Sequence, residues 1–146
     1  MREIKFKAYA KAYNKIVNVD RLGLNSDGTA QEIIVTEREL GEYDSDEWTD
    51  LQAGEFELLQ YAGLKDKNGK EIYEGDILEL RANPFNKKRD LFQVVFKDGG
   101  FRDEWNNYIG QYLPPDIRNR QGGRVRLNEA CEVVGNIYEN PELIEL

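Results

Sequence analysis

Three observations predict a mainly β protein with a minor helical share. Ile4, Phe6, Ala8 and Ala10 alternate with Lys5, Lys7 and Tyr9, the two-residue period of a half-buried strand. Turn chemistry recurs at roughly eight- to twelve-residue intervals, the spacing of short antiparallel strands. Thr36-Glu37-Arg38-Glu39 is the one clear helix-start signal, a capping-box spacing. Six or more short strands spaced in this way favour a small barrel or a sandwich.

Taken in order, Ala12-Tyr13-Asn14-Lys15 turns the first strand, and Ile16 to Val19 returns it as a hairpin. Asn25-Ser26-Asp27-Gly28 is a loop, and Ile33 to Thr36 is a β-branched strand. The helix after Thr36 is limited to a turn or two by Gly41, and Phe56 to Tyr61 resumes strand character. Lys67-Asn68-Gly69-Lys70 reads as an Asn-Gly hairpin with positive φ angles. Glu74-Gly75-Asp76 then bends the chain into Ile77 to Leu80. Asn83-Pro84-Phe85 opens a basic loop before a strand from Leu91 to Phe96, and Lys97-Asp98-Gly99-Gly100 turns into Phe101. A short strand around Val125 and Leu127 and another from Cys131 to Tyr138 follow, and Asn140-Pro141 stops the last. Leu143-Ile144-Glu145-Leu146 is then free to dock on the core.

Composition narrows the function classes. Forty per cent hydrophobic and 33% charged residues describe a folded chain rather than a disordered one. Its 146 residues suffice to bury a core without a metal or disulfide. Cys131 is the only cysteine, which excludes an intrachain disulfide and suits a reducing compartment. Histidine is absent, which removes His-based triads, His-metal sites and the commonest general base. No apolar run reaches the ~20 residues of a membrane span, and the amino terminus lacks the apolar stretch of a signal peptide. A soluble, cytoplasmic protein with no membrane partner is expected.

Charge is unevenly placed. Residues 36–57 hold nine acids (Glu37, Glu39, Glu42, Asp44, Asp46, Glu47, Asp50, Glu55 and Glu57) against Arg38, a local net of -8 that equals the net charge of the whole chain. Residues 118–126 instead carry Arg118, Arg120, Arg124 and Arg126 with no acid, on a loop loosened by Gly122-Gly123. Residues 1–15 and Lys87-Lys88-Arg89 are smaller basic stretches. Trp105, Tyr108 and Tyr112 lie just before the arginine stretch. Tryptophan, tyrosine and arginine concentrate at protein interfaces, and the same interleaving suits single-stranded nucleic acid. The acidic stretch could face a basic partner or imitate nucleic acid, while the bland reading makes both stretches solvated surface.

No catalytic constellation stands out. Asp66-Lys67-Asn68-Gly69-Lys70 fails as a calcium loop, since Lys70 occupies a ligand position and Glu71 the glycine position. Asp76 at a strand entrance is expected to accept hydrogen bonds from its own turn. Asp103-Glu104, Asp44 with Asp46, and Asp76 with Asp98 or Asp103 are the carboxylate groupings open to metal or acid–base work. Cys131 lacks an activating partner and reads as a small core residue. No phosphate-binding or dinucleotide fingerprint occurs.

The run from Gln60 to Ile77, QYAGLKDKNGKEIYEGDI, resembles the YopX protein family of phages and prophages. The opening Met1 to Tyr9 and the ending Glu132 to Leu143 are similar to the family's two ends. Departures are few: Tyr9 and Ala10 stand where the family usually has tryptophan and aspartate, and Ala62 where it commonly has threonine. The resemblance implies a mainly β fold whose carboxy-terminal part is similar to a small SH3-like barrel, in the cytoplasm of a bacterial host. It lends no catalytic residue and no activity. The expected division is an amino-terminal β part over 1–59, with the acidic loop and short helix, and a barrel part over 60–146.

The expectation is therefore a non-enzymatic accessory protein, without cofactor or metal, that binds a host or phage protein or self-associates as a homo-oligomer. Its interaction surface would comprise Trp105, Tyr108, Tyr112, Arg118, Arg120, Arg124 and Arg126. The first alternative is a nucleic-acid binder using the arginines of 118–126. The second is a carboxylate- and metal-dependent enzyme.

Overall fold

The structure, a computed structural model, describes residues 3–41, 44–80 and 90–144. The Asn83-Pro84-Phe85 loop, the Lys87-Lys88-Arg89 cluster, Met1-Arg2, Glu42 and the closing Glu145-Leu146 lie outside the described residues. The chain is mainly β and antiparallel, and it divides into two compact units, Ile4–Gln60 and the chain from Tyr61 onward.

In the first unit, β1 (Phe6–Ala10) pairs with β2 (Lys15–Asn18) through a 3-10 turn at Lys11–Tyr13 that ends on left-handed Asn14. A second sheet orders β3 (Arg21–Leu24), β4 (Ala30–Thr36) and β5 (Trp48–Gln52). Ala8, Ala10, Val17, Ile33, Val35, Leu40, Leu51 and Phe56 form its core, so the alternation at the amino terminus does bury its small residues. β3 and β5 go beyond the sequence expectation. In β5 only Leu51 turns inward, and the surrounding acids conceal the strand period.

The helix α1 (Glu37–Leu40) is a single turn. Thr36 Oγ1 accepts from the Glu39 amide at 3.3 Å, half of the expected capping box. The Glu39 carboxylate turns away and accepts from the backbone and side-chain amides of Asn18 at 3.1 and 3.0 Å, tying α1 to β2.

β6 (Phe56–Lys65) runs through the boundary: residues 56–60 pair with β1, and the later ones with β7 (Glu71–Tyr73). Beyond it, β8 (Asp76–Leu80) is flanked by β9 (Asp90–Gln93) and, with a bulge, by β12 (Cys131–Asn136). β10 (Val95–Lys97) and β11 (Gly100–Arg102) form a hairpin closed by Asp98 and Gly99, both at positive φ. The expected Leu91–Phe96 strand is thus two strands. Buried Val94 interrupts it, bonding by its amide to Asp76 and by its carbonyl to Gly75. The strand expected around Val125 and Leu127 reduces to isolated bridges, and Leu127–Ala130 is the short helix α2. The last strand ends at Asn136, and a 3-10 turn at Pro141–Leu143 follows. Ile72, Leu78, Phe92, Val94, Ile109, Leu127 and Cys131 make the core of this unit. Its ladders establish an antiparallel β unit. Among the described residues, no helix is long and apolar enough to cross a membrane.

Candidate functional site

The second unit repeats one local device three times, and the device occupies two of the candidate carboxylates, Asp66 and Asp103. Asp66–Lys70, Asp103–Asn107 and Asn119–Gly123 are five-residue bends with the same bonding. The first amide donates to the fifth carbonyl, and the fourth amide donates back to the first carbonyl. The fourth residue is left-handed in each: Gly69 at φ 81°, Asn106 at 68° and Gly122 at 80°. This is a three-residue hairpin loop closed by a G1 bulge. The expected tight turn with Asn68 and Gly69 both at positive φ is therefore corrected, since only Gly69 is left-handed.

In each bend the opening Asp or Asn side chain accepts from the third and fifth amides. Asp66 Oδ1 takes those of Asn68 and Lys70 at 2.8 and 2.9 Å, and its Oδ2 takes Val133 at 2.9 Å across to β12. Asp103 Oδ1 takes Trp105 and Asn107 at 2.9 and 2.8 Å, and its Oδ2 takes the Asn107 side chain. Asn119 Oδ1 takes Gln121 and Gly123 at 3.0 and 2.8 Å. Asp103, read from the sequence as an acid open to metal or acid–base work, is instead buried in its own bend. The spacing Asp-x-x-Gly or Asp-x-x-Asn was the available signal. Asp76 accepts from the Tyr73 amide at 2.8 Å, as its turn position predicts, and Asp44 and Asp46 both engage Arg38.

Burial pushes the Asp66 carboxyl up, but the amides of Val133, Lys70 and Asn68, with the Lys70 charge, outweigh it. Its net position is below the usual carboxylate range. Burial, with the negative charges of Asp103 and Asp66, pushes the Cys131 thiol up to about 12. A thiol held protonated in a core is packing material, as the sequence suggests.

The aromatic and arginine residues occupy the outside of the same unit. Isolated antiparallel bridges join Arg102 with Tyr108, Tyr112 with Arg126, and Arg118 with Arg124, so the arginine stretch folds back as a hairpin with Arg120 at its tip. The guanidinium carbons of Arg124 and Arg126 each lie 4.8 Å from the Tyr112 ring centre. Arg124 also donates to the Leu113 carbonyl, which fixes its fork, and Arg126 approaches Glu129 at 3.9 Å. Tyr108 covers Gly110, where a Cβ would meet the ring at 2.8 Å. Arg118 and Arg120 have no ion pair among the described residues. Tyr112, Arg124 and Arg126 are thus brought into contact, with Arg118 beside them in the ladder.

Trp105 stands apart from that contact, on the Asp103 bend. It is 65% exposed, with its ring edge-on to Phe92 at 6.5 Å. Beside it opens a cavity of about 340 Å³. Leu80, Phe92, Leu113 and Leu127 form its apolar walls with Trp105, and Asp103, Asn107 and Gln111 add polar groups. None of the four aliphatic and Phe wall residues was expected from the sequence to line a site. Each is an ordinary core residue by type.

The family model described as YopX protein matches residues 5–145. No curated protein matches. The crystal structure of protein EF1440 from Enterococcus faecalis is similar to this chain with a TM-score of 0.66 and 25% identity, covering 99% of this chain and 100% of that one.

Proposed function

Since the chain belongs to the YopX protein family, we propose that it is a phage- or prophage-encoded accessory protein of the bacterial cytoplasm that works by binding protein rather than by catalysis. The observation that carries this reading is the exposed group of Trp105, Tyr108 and Tyr112 with arginines already ordered against Tyr112. Ordered Arg and Tyr side chains lose little further freedom on binding, and Trp, Tyr and Arg dominate binding energy at interfaces. The bonding of Asp66 and Asp103 favours a structural role for those carboxylates, and the similar chain from Enterococcus faecalis supports a bacterial setting.

A photo-crosslinking residue at position 105, expressed in bacteria, tests the proposal. Protein adducts at 105, and none at exposed Leu24 in the other unit, are expected. Absence of any protein adduct overturns it. The second reading, nucleic-acid binding, is favoured by Arg118 and Arg120 alone; it expects oligonucleotide affinity that falls steeply with salt and is lost when both become glutamate.

A further inference from the structure

We infer that the cavity beside Trp105 receives Trp48 of a second copy of this chain, while the acids around Trp48 meet Arg124, Arg126 and the hairpin arginines. The inference rests on the protein-binding reading and names its partner.

Charge is the first argument. The net of -8 in residues 36–57 and the acid-free arginines of 118–126 belong to different units, and the remainder of the chain outside 36–57 is neutral. A second copy therefore presents to each basic face the one strongly acidic surface that the sequence contains. Complementary patches steer encounter and fix register. Arg38 engages Asp44 and Asp46, so one side of the acidic run is held in place, whereas Glu47 and Asp50 lie on either side of Trp48 in the chain.

Shape is the second. Trp48 opens β5 at the edge of its sheet, 58% exposed, with Arg21 at 4.7 Å from its ring centre. An exposed indole among acids has no role in the first unit's core, whose members do not include it. The cavity volume lies at the small end of ligand pockets and has room for an indole. Its leucines and Phe92 would bury the indole, and the carboxamide oxygens of Gln111 or Asn107 can accept from the indole N–H. The arginine-bearing ladder begins next to that wall, because Leu113 and Leu127 adjoin Tyr112 and Arg126 in sequence.

Sedimentation equilibrium of the full chain across the micromolar range is the test. Concentration-dependent dimer or larger species are expected, weakened by added salt. Trp48→Ala, and separately Arg124→Glu with Arg126→Glu, should each raise the dissociation constant by about tenfold or more. Mixing the double arginine variant with Glu47→Lys/Asp50→Lys should restore association that neither shows alone. A chain that stays monomeric overturns the inference, and so does association indifferent to these variants. If the monomer still gives adducts at position 105 with another protein, the protein-binding reading survives alone; if it gives none, both fall.

Discussion

Asp66 accepts three backbone amides at once, which only a carboxylate, with acceptors on both oxygens, can do. Asp66→Asn must point its amide group at one of those donors, and a loss of about 1–3 kcal/mol in urea denaturation is expected. The pH dependence follows from the lowered folded value. The stabilisation is fully present above the ordinary carboxylate value of about 3.9 and is lost as pH falls through the folded value. Urea midpoints of the parent should therefore drop more steeply below about pH 4 than those of Asp66→Asn. Cys131 gives a complementary expectation. With its thiol pushed up to about 12 in a closed core, it should resist aromatic disulfide reagents in the native protein and react fully in denaturant. Residue identity announced these roles unevenly. Asp76 before an apolar strand predicts an amide-accepting turn residue, whereas Asp103 beside Glu104 looks exposed until Asn106 and Asn107 are seen to complete its bend.

The bends are where backbone conformation decides which substitutions are tolerated. Gly69 has φ 81° with open space where a Cβ would stand, so Gly69→Ala should cost only the left-handed penalty of about 1–2 kcal/mol. Gly75 has φ 86° as well, but a Cβ there would meet the Tyr138 ring at 3.0 Å. Gly75→Ala should therefore lower the thermal midpoint more than Gly69→Ala; an equal effect would mean that Tyr138 yields freely. Strands were readable from the sequence where residues alternate toward one core, as in Phe6–Ala10, or where a short apolar run is buried through most of its length, as in Ile77–Leu80. They were not readable where burial rests on one residue, as with Leu51 in β5, or where a single residue such as Val94 exchanges partners in mid-run. The cavity was invisible for a related reason. A void is a property of several chain segments brought together, and Leu113 and Leu127 carry no mark of it.

At the scale of the molecule, two core clusters with no shared member predict two regions of protection. Ile33→Ala and Ile72→Ala should each cost about 2–5 kcal/mol. In hydrogen exchange, the first should raise rates chiefly within 4–60 and the second chiefly from 61 onward; uniform acceleration in both would show one cooperative body. The sequence conveyed the family through segments at both ends and in the middle, because their turn residues are fixed by backbone geometry. Partner choice, by contrast, depends on surfaces whose residues obey no such constraint. β6 adds a practical consequence. Gln60 and Tyr61, where the units divide, are neighbours inside a paired strand rather than in a linker. A chain cut there would divide one strand at the point where its partner changes from β1 to β7, so each fragment would keep its own pairing but begin or end inside a ribbon, where the backbone frays.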